Sequence, residues 1–306
     1  MNASVGGTVS ADGLPWRSML FVPVTEERFV AKAASVGADA CQLDLEDSIA
    51  ATAKEKARAA LPEAVGRLSG AGCEVVLRIN RPLRLAIRDL EAVALPGVRA
   101  LAVPKVDSPG HLRLIDETLG ELEAERGLPV GGIRLIAMIE SPGALLRAGA
   151  IAQCSARLCG LTLGGEDFAL ADGVRPDPDV MTGPLQHVVH AATAAGLWPL
   201  GLAGSISDYR DLDAFRQIAR LSRRTGCVGA SAIHPAQVPV LNEEFTPAAD
   251  DVERARRLLA TFDESVRGGV GAVGFEGTMV DEPVARRARA LVAAADAFAA
   301  RDAARA

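Results

Sequence analysis

An apolar run, RLIAMI at 134–139, ends in Glu140 and then turns on Ser141, Pro142 and Gly143. With Ile133 before it, the run reads as a strand buried on both faces. Ser141 suits a helix N-cap and Pro142 the first helical position. A carboxylate closing so greasy a strand stands where chemistry rather than packing has use for it. The placement recurs: other apolar runs close on Asp44, Glu46 and Asp47, on Arg78 and Asn80, on Lys105, on Glu166 and Asp167, and on His234. Glu140 and Asp167, at the ends of neighbouring strands, are oxygen donors suited to a hard cation. Magnesium takes one or two protein carboxylates, keeps several waters and leaves room for a substrate. Arg78 offers a planar fork for a substrate carboxylate, the alternative being an internal ion pair with Asp44 or Glu46. Asp47 or Asn80 taken alone also fits a helix cap. The four histidines (111, 187, 190 and 234) form no zinc-ligand pattern, and His187 and His190 read as helix-surface or packing residues.

These side chains need a scaffold that brings strand ends to one place. Eight strand-like runs occur, at 18–23, 40–46, 74–80, 99–106, 134–140, 157–165, 197–204 and 227–235, with helical periodicity between them. Several helical segments close on glycine, as expected just past a C-terminus. The alternation predicts a (β/α)8 barrel over 17–245, with function at the C-terminal ends of the strands. No strand leads into GxGxxG, which argues against a dinucleotide-binding sheet. Residues 1–16 read as a flexible lead-in. Residues 246–306 read as a C-terminal helical extension: a helix announced by Thr246-Pro247, an irregular glycine-rich stretch at 269–283 and an alanine-rich final helix. The extension looks too thin to hold a core of its own, so an arm docking on another subunit is expected.

Composition sets the outer bounds. The chain has 306 residues, 49% of them hydrophobic, and a net charge of −6, which argues against nucleic acid as a partner. No apolar stretch approaches the length of a membrane span, and the N-terminus lacks the basic start and apolar middle of a secretory signal. Five cysteines, an odd number without CxxC spacing, read as free thiols, and a cytoplasmic location is expected.

The runs RSMLFVP (17–23), LDLEDSIAATAKEKAR (43–58), LRIN (77–80), VPK (103–105), MIESPGAL (138–145), GGEDFALADG (164–173) and AIHPAQV (232–238) resemble the citrate lyase β-subunit family. The wider group includes malyl-CoA and citramalyl-CoA lyases and the HpcH/HpaI aldolases. The resemblance keeps order and spacing from Arg17 to about Pro283. It implies a magnesium-dependent TIM barrel that cleaves or forms a carbon–carbon bond in a 3-hydroxyacyl thioester such as citryl-, malyl- or citramalyl-CoA, with a keto acid and an acyl-CoA as products. By motif, Glu140 and Asp167 match the metal ligands, and Arg78 matches the arginine at the substrate's carboxylate end. Arg28 and Lys32 match basic positions that meet the CoA phosphates. Asp281 matches an aspartate inserted into a neighbour's active site in family trimers, and it is the candidate acid/base. Asp44, Glu46 and Asp47 are expected to support the metal's waters. The resemblance also implies a homotrimer or dimer of trimers. Where family members often have Gly-Lys before Ile-His-Pro this chain has GASAIHP, and its AGSISDYRD loop is less acidic than is common; both changes bear on the acyl substrate. Three other activities are open: a class II aldolase acting on free 2-keto acids, an acyl-CoA thioesterase using the same site, and a β subunit dependent on an acyl-carrier protein.

Overall fold

The computed structural model describes residues 13–305. Eight parallel strands run β1 (Ser18–Pro23), β2 (Ala40–Asp44), β3 (Glu74–Arg78), β4 (Val98–Val103), β5 (Arg134–Ile139), β6 (Leu158–Leu163), β7 (Trp198–Gly201) and β8 (Ala230–Ala232). Each hydrogen-bonds to its neighbours in chain order, and β8 returns to β1. The ring closes between β7 and the approach to β8. There the Val228 N–H donates to the Pro199 carbonyl at 2.9 Å and the Gly201 N–H to the Gly229 carbonyl at 3.0 Å. All eight expected strands are present, and the fold is the expected (β/α)8 barrel. Gly229 is required at the closure, because a Cβ there would land on the Trp16 carbonyl oxygen.

The crossovers are α1 (Glu27–Ala33), α2 (Lys54–Gly70), α3 (Leu83–Val93), α4 (Pro109–Glu125), α5 (Pro142–Leu145), α6 (Ala148–Ala152), α7 (Gly165–Asp172), α8 (Pro178–Ala194), α9 (Leu212–Thr225) and α10 (Gln237–Phe245). Their starts follow from local chemistry. The Ser141 hydroxyl accepts the Ala144 N–H at 3.2 Å, and Ser108 accepts from His111 at 3.4 Å, each serine followed by proline. The main core lies between the strands and these helices, whereas a second apolar cluster fills the barrel itself. The latter includes Trp16, Met19, Val76, Ala102, Ile136, Met138 and Trp198.

The period of two along a strand explains the greasy run that ends in a carboxylate. Ile136 and Met138 belong to the interior cluster, so Glu140 continues the same face past the end of β5. Val76 in turn is followed two residues on by Arg78, and Ala40 is followed by Gln42 and Asp44. The interior thus changes from indole and aliphatic groups to charge as it approaches the C-terminal ends of the strands.

Two expectations need correcting. Of the lead-in, residues 1–12 lie outside the described residues, but Trp16 is 3% exposed and packs edge-on against Trp198 at 5.3 Å, as part of the barrel. The segment from Thr246 onward forms a separate compact unit, distinct from Trp16–Phe245. It contains α11 (Ala249–Arg267), an antiparallel hairpin of β9 (Val273–Phe275) and β10 (Thr278–Val280), and α12 (Glu282–Arg305). Ala255, Leu258, Phe262, Val280, Ala285 and Ala288 give it a small core, so the extension holds a core of its own and its glycine-rich stretch contains a hairpin. The hairpin turns on Glu276 (φ 46°) and Gly277 (φ 79°), two left-handed residues as a two-residue primed turn demands. Among the described residues no helix is long and apolar enough to cross a membrane.

Candidate active site

A cavity of about 120 Å³ opens at the C-terminal ends of the strands, lined among others by Arg78, Glu140, Glu166 and Asp167. Glu140, at the end of β5, is 5% exposed. Burial, together with the negative charges of Asp167 and Glu46, pushes its carboxyl up to about 7 against the opposing pull of the Lys105 N–H. That N–H donates to Glu140 Oε2 because Lys105 adopts a left-handed backbone, φ 49°, which few lysines do. The Lys105 ammonium turns the other way, 2.6 Å from Glu46 Oε1, 3.4 Å from Asp47 and 3.6 Å from Asp167. Burial opposes its charge, but these carboxylates prevail and hold it above the ordinary lysine range. The sequence placed Lys105 among the strand-end residues without a role; the structure makes it the group that ties the acidic side chains together.

Arg78 has the internal ion pair that its residue type left open. Nε and Nη2 each donate to Asp44 at 2.8 Å, and Nη1 lies 3.0 Å from Glu46 Oε2 without the alignment of a hydrogen bond. The guanidinium also lies over the Phe21 ring, 4.6 Å from its centre. Burial alone would raise the Asp44 carboxyl; the Arg78 pair and the N–H groups of Glu46 and Ser48 hold it below the usual range instead. Asp44 therefore holds Arg78 in place. A guanidinium carries five N–H donors, so Nη1 and Nη2 keep hydrogens for a ligand in the cavity that Arg78 lines. Asn80 and Lys54 are structural: the Asn80 amide donates to the Leu45 carbonyl at 2.8 Å, and the Lys54 ammonium donates to the Leu45 and Glu46 carbonyls at 2.7 Å. His234 accepts the Ala236 N–H on Nδ1 and stacks on Tyr209.

Arg78→Lys is expected to cost about 2–3 kcal/mol in urea unfolding, since one ammonium cannot satisfy both oxygens of buried Asp44 and also face Glu46. It should also lower kcat/KM at least about a hundredfold. An equal loss of stability with unchanged kcat/KM would make Arg78 purely structural.

The donor set fits a hard cation. Glu140 and Asp167 line one cavity, and buried Glu46 Oε2 has no hydrogen-bond partner. No three Asp, Glu, His or Cys side chains among the described residues form a ready-made cage, so a cation here would rely on two carboxylates and waters. Gly164, which the sequence did not single out, opens the space: a Cβ there would collide with the Glu140 carboxylate. Gly164→Ala is accordingly expected to raise the concentration of magnesium needed for half-maximal activity at least about tenfold, with circular dichroism unchanged. An unaltered metal requirement would show that Glu140 has room to move.

The remaining candidates are not among the residues that line the cavity. Arg28, on α1, is 76% exposed in its side chain and 3.9 Å from Glu26; Lys32, one turn on, is exposed. Asp281 belongs to the C-terminal unit, where it is exposed and caps α12, accepting the Val284 N–H at 3.3 Å.

A parallel barrel whose strand ends converge on buried carboxylates and an arginine defines a (β/α)8 enzyme. The chain belongs to the HpcH/HpaI aldolase/citrate lyase family, whose pattern matches residues 17–235. It is 32% identical over 283 residues to citrate lyase subunit beta of Escherichia coli (strain K12), covering 92% of this chain and 93% of that one. It is 33% identical over 289 residues to a (3S)-malyl-CoA thioesterase of Cereibacter sphaeroides (strain ATCC 17029 / ATH 2.4.9), covering 94% and 96%. Among solved structures it is similar to CitE of Mycobacterium tuberculosis in complex with magnesium, acetoacetate and coenzyme A. That match has a TM-score of 0.73 at 29% identity and covers 91% of this chain and 97% of that one.

Proposed function

We propose that the protein is a magnesium-dependent lyase that splits a 3-hydroxyacyl-CoA into a 2-keto acid and an acyl-CoA. The observation that carries the reading is the buried Glu140, raised to about 7, facing the same cavity as Asp167 and Arg78. A cation there relieves the clustering that burial and like charge impose on Glu140. Glu140 and Asp167 would hold it, with Glu46 and Asp47 hydrogen-bonding its waters. When bound, magnesium supplies Lewis-acid polarisation of substrate oxygens and fixes their orientation.

The rest falls to the chain itself. Arg78, held by Asp44, presents its remaining N–H groups to the carboxylate of the keto-acid half. Arg28 and Lys32 offer exposed positive charge to the phosphates of CoA, a ligand that the Mycobacterium tuberculosis relative binds. Asp281, from a neighbouring copy in a homotrimer or dimer of trimers, is the acid/base. It takes the proton of the hydroxyl β to the thioester carbonyl, and the oxygen's electron pair forms the new C=O. The carbon–carbon pair passes to the thioester's α-carbon, which then recovers the proton from Asp281.

Hydrolysis of a thioester is the second reading, favoured by the malyl-CoA thioesterase relative. Exhaustive chelation is expected to abolish cleavage of 3-hydroxyacyl-CoA, and added magnesium to restore it. Full activity in the chelated protein would refute the metal-dependent reading.

A further inference from the structure

Resting on that lyase reading, we infer that the keto acid released carries a single carboxylate and a hydrogen or small apolar substituent on its carbonyl carbon. The inference comes from what the cavity has to offer a second anionic arm. Among the described residues Arg78 is the one cationic side chain that lines it. Its charge is already shared with buried Asp44 and Glu46, so it has donors for one more carboxylate. The other nearby cation, the Lys105 ammonium, is held against Glu46 at 2.6 Å and lies within 4 Å of Asp47 and Asp167.

Apart from Glu166, the remaining wall is apolar or neutral. Phe21, Met138, Leu202 and Ile206 line it, with the buried Thr162 and the half-buried Ser231 of β8 as its hydroxyls. Glu166 is also in the lining, its carboxylate taking the Ser205 hydroxyl. A keto acid with one carboxylate places that group on Arg78 and leaves hydrogen or methyl against the aliphatic side chains. A second carboxylate would be desolvated against those side chains, or would meet Glu166, with no second cationic side chain among the residues that line the cavity. A buried charge without a partner is among the strongest grounds on which a site rejects a ligand.

The test uses the full chain with magnesium and two independent readouts. Titration calorimetry with glyoxylate, pyruvate and oxaloacetate is expected to show glyoxylate or pyruvate binding at least about tenfold tighter than oxaloacetate. Cleavage of malyl-CoA, citramalyl-CoA and citryl-CoA should follow the same order in kcat/KM. Oxaloacetate binding as tightly as the monocarboxylates, or citryl-CoA cleaved as well as the other two, would overturn the inference. Should no thioester be cleaved, the lyase reading fails, while the binding order still decides the inference. Ser231→Lys, which adds a cation to the neutral wall, is expected to narrow the binding ratio at least about threefold. An unchanged ratio in a folded variant would show that the wall's charge is not the cause of the preference.

Discussion

Replacing Asp167 by alanine is expected to lower kcat/KM at least about a thousandfold, a loss of about 4 kcal/mol of transition-state stabilisation. The fold should hardly register the change. The Asp167 side chain is 33% exposed, and its ion pair is with Lys105 at 3.6 Å, a contact that Glu46 at 2.6 Å replaces. Thermal unfolding should shift by no more than a few degrees, since partly exposed pairs contribute about 1 kcal/mol or less. The variant should also lose the response to added magnesium, because Glu140 is then the one proposed ligand left to hold the cation. Wild-type activity in Asp167→Ala would remove the cation from the mechanism, and a collapse of stability would make Asp167 structural.

The second large effect concerns Asp281. Asp281→Asn is expected to lower activity at least about a thousandfold, while asparagine keeps the cap on α12 and with it the helix. If the carboxylate serves a neighbouring barrel, the Asp281→Asn and Asp167→Ala chains should complement each other. On random exchange in a ring, about a quarter of sites combine an intact barrel with an intact arm, so about a quarter of wild-type activity should return. Subunit exchange is checked first with chains carrying different fluorescent labels. No recovery despite proven exchange would place Asp281 in cis or outside the chemistry.

Much of the barrel was legible because two-face burial and helix-ending glycines leave strong marks on the chain. Glu140 was legible for the same reason: inward side chains alternate, so Ile136 and Met138 predict the face on which the next carboxylate stands. Other features depend on backbone geometry or on approach through space. Lys105 was visible at the end of β4, but its N–H reaches Glu140 through φ 49°, a conformation that lysine does not advertise. Gly164 matters because Glu140 comes across from the neighbouring strand, which no spacing within GGED reveals. The β9–β10 hairpin was missed because strands of three residues carry too little alternation. Its turn also places Glu276 in the left-handed region instead of asparagine. Arg254 and Arg257, from α11, hold that glutamate at 2.8 and 2.9 Å, a tertiary cause rather than a local one. For Arg78 the sequence left two roles open; the ion pair with Asp44 is present, and its remaining donors keep the other role available.

The most direct measurement is product analysis by mass spectrometry, with magnesium present and malyl-CoA or citramalyl-CoA as substrate. The account predicts keto acid and acetyl-CoA in equal amounts, with no free CoA at early times. It also predicts that both products vanish on chelation. Free CoA with intact hydroxy acid would make the protein a thioesterase, and acetyl-CoA formed undiminished after chelation would contradict the metal site built on Glu140 and Asp167.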